Sequence, residues 1–136
     1  MFVLDTNVVS ETQQRRPHRA VVAWLASVPN ELQYVSAVTL GEMQRGVELT
    51  RERDPARAGD IEHWLELMSG TMQVLALDGA CFRLSARLMH RRDPRLMFDA
   101  LIAATALVRG FTVATRNVRD FEPFGVAVFN PFDFRG

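Results

Sequence analysis

The first seven residues, Met1-Phe2-Val3-Leu4-Asp5-Thr6-Asn7, constrain this chain more than any other stretch. Large apolar residues run straight into a carboxylate and two small polar residues. A short apolar run of this kind suits a strand buried on both faces, and so a parallel sheet. Asp5 then stands where the strand ends, at the edge where open α/β folds bind ligands. A carboxylate there costs desolvation energy unless a cation or hydrogen-bond donors compensate it. The same residue also suits a helix cap, with Thr6 and Asn7 as turn residues. The stretch alone does not choose between the two roles.

The rest of the chain repeats the alternation. Val21, Val22, Trp24, Leu25 and Val28 recur at helical spacing and stop at Pro29-Asn30. Leu32 to Ala37 reads as a second strand, and Ser36 as the N-cap of a helix from Val38 to about Arg51. Arg51 to Asp60 reads as an exposed connection or a helix start. Ile61, Trp64, Leu65 and Met68 form an i, i+3, i+4, i+7 stripe that Gly70 closes. Met72 to Leu77 is almost wholly apolar and is expected to be a third, central strand. Asp78 caps a helix ending in His90-Arg91-Arg92, cations suited to a helix C-terminus. Met97 to Val108 is apolar nearly all round, the pattern of a buried helix. Phe111 to Thr115 and Val126 to Phe129 complete a set of four to five strands. The expected fold is α/β, a mostly parallel central sheet flanked by helices in three layers. Right-handed crossovers then bring the ends of the first, second and fourth strands to one edge.

With 136 residues the chain is expected to form a single domain over 1–136. Sixteen basic and sixteen acidic residues leave no net charge to argue for or against a nucleic-acid partner. Cys81 is the only cysteine, which excludes an internal disulfide and a cysteine-rich zinc site. Ala100 to Val108 falls far short of the roughly 18 apolar residues of a membrane span. No basic region precedes an apolar stretch at the N-terminus, so a soluble, cytoplasmic protein is expected. Trp24, Trp64, Met68, Phe121, Phe124, Phe132 and Phe134 exceed what one core readily holds, and part of them is expected to line a partner surface.

Several acidic positions fall at or near the strand ends: Asp5, Glu42, Asp99 and, beside Asn117, Asp120. Each has a structural alternative. Thr39-Leu40-Gly41-Glu42 fits a capping box, Asp99 can complement a helix N-terminus, and Asp120 can be a turn residue. Asp99 strains its alternative most, because Phe98, Ala100, Leu101 and Ile102 mark a buried helix. Carboxylates converging on one cleft repel one another, and a divalent cation relieves that repulsion. Oxygen-only ligands suit Mg²⁺ or Mn²⁺, the ions of phosphodiester hydrolysis. Other chemistries fare worse. Glycine-rich phosphate loops and a Gly-x-Ser-x-Gly elbow are missing. A haloacid-dehalogenase-type aspartyl phosphate needs a second Asp where Asn7 stands.

Four segments carry a resemblance. They are Leu4-Asp5-Thr6-Asn7-Val8-Val9-Ser10-Glu11, Ser36-Ala37-Val38-Thr39-Leu40-Gly41-Glu42, Phe98-Asp99-Ala100-Leu101-Ile102-Ala103-Ala104-Thr105-Ala106 and Val113-Ala114-Thr115-Arg116-Asn117. In this order and spacing the chain resembles PIN domains over essentially its whole length, and most of all VapC-type toxins of the FitB-like branch. The resemblance implies a PIN-like three-layer sandwich and a Mg²⁺- or Mn²⁺-dependent endoribonuclease acting on transfer or ribosomal RNA. By the same resemblance Asp5, Glu42 and Asp99 match the principal acidic metal-site positions. Asn117 stands in the slot of a fourth acid, with Asp120 the nearest carboxylate that could replace it. Thr6, Asn7 and Thr115 match supporting polar positions. Arg15, Arg16, Arg91, Arg92, Arg116 and Arg119 are candidates to hold flanking phosphates. The implied partners are a VapB-type antitoxin, RNA, operator DNA reached through the antitoxin, and a second copy of the chain. Asn117 also leaves open a catalytically weak binding module acting within such a complex on operator DNA. A DNA nuclease related to flap endonucleases is disfavoured by the short chain.

Overall fold

A computed structural model describes residues 1–136. The elements in chain order are β1 (Phe2–Leu4), α1 (Thr6–Val9), α2 (Arg19–Ser27), β2 (Gln33–Ser36), α3 (Ala37–Arg51) and α4 (Pro55–Thr71). They continue with β3 (Gln73–Leu75), α5 (Gly79–Leu88), α6 (Met97–Leu107), β4 (Thr112–Ala114), α7 (Val118–Phe121) and β5 (Val128–Phe129). The five strands form one sheet in the order β3-β2-β1-β4-β5, and every pairing is parallel.

β1 is the central strand, and its alternation divides the core. Leu4 joins a cluster with Val21 and Trp24 of α2, Val47 of α3 and Leu65 and Met68 of α4. Val3 faces the other way, against Ala100, Ile102, Ala103 and Ala106 of α6 and Phe121 and Phe124. Successive strand residues point to opposite faces, so two adjacent apolar residues serve two helical layers. Fully burying each such Val or Leu contributes about 1.5–3 kcal/mol relative to exposure. Seven consecutive residues of α6, Ala100 to Ala106, are buried, as the all-round apolar pattern requires. Their small side chains let the helix lie close to the sheet.

Local signals set most helix starts. Ser36 accepts from Val38 N, Asp54 from Arg57 N and Asp78 from Cys81 N, each satisfying a backbone donor that the helix leaves free. Pro55 at the first turn of α4 suits its fixed φ. The turn after α6 needs a positive φ (70°) at Gly110, which glycine adopts without a Cβ clash.

Three expectations are corrected. The apolar run Met72 to Leu77 does not make a central strand. β3 lies at the sheet edge, paired only with β2, and Val74 is 38% exposed. The run is apolar because Met72 and Leu75 pack on opposite core clusters, not because both faces of the strand are covered. Gly70 does not end α4, which continues to Thr71. The aromatic surplus is also mostly internal. Trp24, Met68, Phe121 and Phe124 are buried, while Trp64, Phe132 and Phe134 pack against the first cluster. Cys81 is buried. No helix is long and apolar enough to cross a membrane.

Candidate active site

The register aligns Leu4 of β1 with Ala114 of β4, so Asp5 and Thr115 leave the sheet side by side. Asp5 N donates to Ala114 O at 2.9 Å, which fixes the end of β1 to its neighbour. Asp5 is only 4% exposed. Its carboxylate accepts three donors: Thr6 N to Oδ1 at 2.8 Å, Thr115 Oγ1 to Oδ2 at 2.7 Å and Asn7 Nδ2 to Oδ2 at 3.3 Å. Asp5 is therefore the N-cap of α1 and also a buried carboxylate at the sheet edge. The cap and the site are one residue. Burial raises its pKa, the hydrogen bonds pull it back, and the nearby charge of Asp120 pushes it up again.

A hydroxyl frame surrounds Asp5. Thr115 is fully buried and also accepts from Asn117 N at 2.9 Å and Asn7 Nδ2 at 3.4 Å. Asn7 Oδ1 accepts from Arg116 N at 3.2 Å, tying α1 to the turn after β4. Thr6 works in two directions. Its N–H serves Asp5, and its hydroxyl donates to Glu42 Oε1 at 2.9 Å. Glu42 is thus held against α1 across 36 positions of sequence. The capping-box alternative for Glu42 fails, because Ser36 is the cap of α3 and Glu42 lies nearly two turns inside. Thr39 does not cap either; its hydroxyl is buried without a partner.

Asp99 sits in the first turn of α6, half-buried and without a hydrogen bond. Its carboxyl is pushed up to about 7, first by burial and then by Asp5, Asp120 and Glu42. Burial also raises Glu42, with the Asp5 charge adding to it and the Thr6 hydrogen bond opposing it. Four carboxylates thus feel one another at the carboxyl edge of β1, β2 and β4. Asp120 is exposed in the first turn of α7. Asn117 precedes that helix, and its side chain makes no capping hydrogen bond.

No three acidic side chains already stand at the mutual spacing of a metal centre. The donor chemistry nonetheless fits a hard divalent cation. Every donor is an oxygen, Asp5 and Glu42 are held in place by hydroxyls, and the mutual repulsion at Asp99 is what a cation relieves.

The arginines separate. Arg116 lies with its guanidinium 3.9 Å from the Phe132 ring centroid, a cation–π contact beside the acids. His18 packs edge-on against the same ring. Arg119 is exposed and shares with Arg116, Asn117 and Asp120 a cavity of about 620 Å³. Arg92 is taken up structurally: it donates to Leu88 O and Pro123 O and lies over Phe124. Arg91 takes a left-handed φ of 60° after α5. Arg15 and Arg16 are exposed and stand in a side cleft rather than among the acids. Sequence reasoning missed Phe132 as the platform for Arg116, and missed Arg53 and Arg57, which line a cleft running from Thr6 and Glu42. The four-residue spacing of Arg53 and Arg57 was a weak signal; the platform had none, since Phe132 is 16 positions away.

A parallel α/β sheet with acids gathered at its carboxyl edge defines the general class. More particularly, the chain belongs to the PIN-domain family, whose pattern matches residues 2–124. It is 37% identical over 142 residues to the VapC ribonuclease Y4jK of Sinorhizobium fredii, covering 98% of this chain and 99% of that protein. It is 35% identical over 140 residues to the toxin FitB of Neisseria gonorrhoeae, covering 97% and 99% respectively. Among solved structures, a chain of FitAB bound to an IR36 DNA fragment superposes with a TM-score of 0.82 at 34% identity, covering 100% of this chain and 99% of that one.

Proposed function

We propose that this chain is a Mg²⁺- or Mn²⁺-dependent endoribonuclease toxin that hydrolyses phosphodiester bonds in transfer or ribosomal RNA. The observation that carries this reading is the meeting of Asp5, Glu42, Asp99 and Asp120, with Asp99 driven to about 7 by burial and its three acidic neighbours. Asp5, Glu42 and Asp99, with Asn117 or Asp120, are the residues to hold the cation. When bound, a divalent cation lowers the pKa of water and offsets negative charge on the phosphate. Asp5 is kept oriented by Thr115, Asn7 and Thr6, so its oxygens need no rearrangement on binding. Glu42 is aimed by the Thr6 hydroxyl. Asp99, raised by burial and by its acidic neighbours, is the carboxyl whose charged form a bound cation would favour most. Arg116, preorganised on Phe132, is placed to contact a phosphate, with Arg119 beside it. The family kinship supports a cytoplasmic homodimer neutralised by a VapB-type antitoxin, the pair reaching operator DNA through the antitoxin.

Cleavage of total RNA by purified, antitoxin-free protein tests the reading. Discrete fragments are expected with Mg²⁺ or Mn²⁺, and none with EDTA or with Asp5→Asn. Intact RNA in every lane from folded protein would transfer the weight to a second reading, a binding module acting within the antitoxin complex. Asn117 favours that alternative, because it leaves one acidic slot uncharged.

A further inference from the structure

A groove leaves the acidic site and runs away from it between residues 13–16 and the α3–α4 hairpin. Its first section, about 410 Å³, is lined by Thr6 and Glu42 of the site and also by Arg53 and Arg57. The second, about 420 Å³, is lined only by Gln13, Gln14, Arg15, Arg16 and Arg57. A third, about 260 Å³, adds Asp60 and Trp64. Gln13 and Arg57 border all three, so the sections form one continuous path.

The basic charge along this path is not neutralised. Arg15, Arg16, Arg53 and Arg57 are exposed, and none forms an ion pair. On the same hairpin Arg51 is bound to both Glu48 and Glu62, at 3.1 and 2.9 Å. Arg53 and Arg57 are the bare arginines of the hairpin that line the groove; Arg45, also bare, lies outside it. Asp54 is occupied as the cap of α4, which leaves Asp60 as the acidic lining residue away from Glu42. Four bare guanidiniums on a path that takes in Glu42 suit a polyanion whose repeating charges extend beyond the acidic site.

We propose that this groove binds the backbone of single-stranded RNA several nucleotides from the scissile phosphate, with Arg15, Arg16, Arg53 and Arg57 as its phosphate contacts. The inference rests on the ribonuclease reading for the identity of the strand, but its test does not depend on cleavage. The groove gives length selectivity: an oligonucleotide too short to reach from Glu42 to Arg57 cannot occupy the acidic site and engage these arginines at once, whatever its sequence.

The experiment measures binding of a fluorescent single-stranded RNA oligonucleotide to Asp5→Asn protein over a series of salt concentrations. For single strands the slope of log K against log salt falls by about 0.7 for each phosphate that is no longer neutralised. Arg53→Ala/Arg57→Ala and Arg15→Ala/Arg16→Ala are each expected to lower the slope by about 1.4. Arg53→Lys/Arg57→Lys is expected to keep most of it. Arg83→Ala/Arg87→Ala, on exposed positions of α5 against the opposite face of the sheet, is the charge control and is expected to leave the slope unchanged. Equal slopes for the groove variants and the parent overturn the proposal, as does an equal fall in the control. Groove-dependent binding of polyglutamate tighter than that of RNA at matched charge concentration also overturns it, assigning the groove to an acidic polypeptide. Groove-dependent binding by a protein that cleaves nothing when Asp5 is present would uphold the groove and remove the nuclease reading instead.

Discussion

Asp5 and Asp99 are the same side chain at the same sheet edge, and the fold treats them oppositely. Asp5 is 4% exposed and accepts three hydrogen bonds, two of them from side chains whose own positions are fixed by further bonds. Asp99 accepts none, sits half in solvent and is pressed by the charges of its neighbours. One half of the site is built rigidly by the chain. The other half is left under electrostatic tension that the chain does not resolve. A cleft with both halves anchored would gain little from a cation; one with neither would not hold its acids in place.

The largest test of this division is removal of the anchored charge. Asp5→Asn keeps an N-cap of similar quality and the same shape, so the fold is expected to persist. Cleavage is expected to fall by about 10³-fold or more, the loss of several kcal/mol of charge stabilisation. Residual activity within tenfold of the parent in a gel assay would place the essential charge elsewhere.

Next comes the frame itself. Thr115→Val keeps the volume but removes the donor to Asp5 Oδ2 and the acceptor for Asn117 N. Leaving a buried carboxylate short of a donor is expected to cost about 1–3 kcal/mol in urea unfolding. The same substitution is expected to raise Asp5 further, since the Thr115 bond is the largest influence opposing its burial. A change below about 0.5 kcal/mol, the range of an ordinary surface substitution, would show that the frame is not what holds Asp5.

The unanchored half has a pH signature. Asp99 is lifted from an ordinary 3.8 to about 7, so the folded protein holds this proton more tightly than the unfolded chain does. The stability it contributes is fully present below pH 3.8 and is lost as pH rises toward 7. Asp5 and Glu42, also raised, act with the same sign. In a thermal melt with chelator, the parent is expected to lose stability between pH 5 and 8, and Asp99→Asn to lose less of it. Solvent reaches Asp99 and screens its charge, so a gain of only about 3 °C is expected for Asp99→Asn at pH 8. Parallel pH curves for the two proteins would detach Asp99 from the acidic cluster.

The anchored half was also the more legible one. Asp5 follows an apolar run, and Thr6 and Asn7 adjoin it, so strand, cap and carboxylate are all local in sequence. Ser36 and Asp78 announce their helices by short-range capping, and the buried helix around Asp99 declares itself by composition. What failed to show depends on distant partners. Glu42, a site candidate, could not be told from a capping-box residue, because the Thr6 hydroxyl that holds it is 36 positions away. Met72 to Leu77 looked central because apolarity does not say how many neighbours a strand has. Arg116 on Phe132, and the bare arginines along the groove, arise only where loops meet in space. Within the site, the strand ends and the family resemblance pointed to the acids, while the hydrogen bonds that separate Asp5 from Asp99 in character needed the fold.

The smallest effect sharpens the boundary of the unanchored half. Asn117 precedes α7 with an exposed side chain that caps nothing, so Asn117→Asp breaks no bond that the side chain makes. Its stability is expected to stay within about 0.5 kcal/mol of the parent at pH 5. Near pH 8 the new charge joins Asp120 on the side of the cleft that already presses on Asp99. The metal-free protein is then expected to melt slightly lower, and the Mn²⁺ concentration that restores its melting temperature to fall about two- to fivefold, a gain of roughly 0.5–1 kcal/mol in cation binding. If the Mn²⁺ requirement does not move, the tension at Asp99 ends at Asp120, and Asn117 belongs with Thr115 and Asn7 to the hydrogen-bonded frame, through the backbone N–H that it already donates.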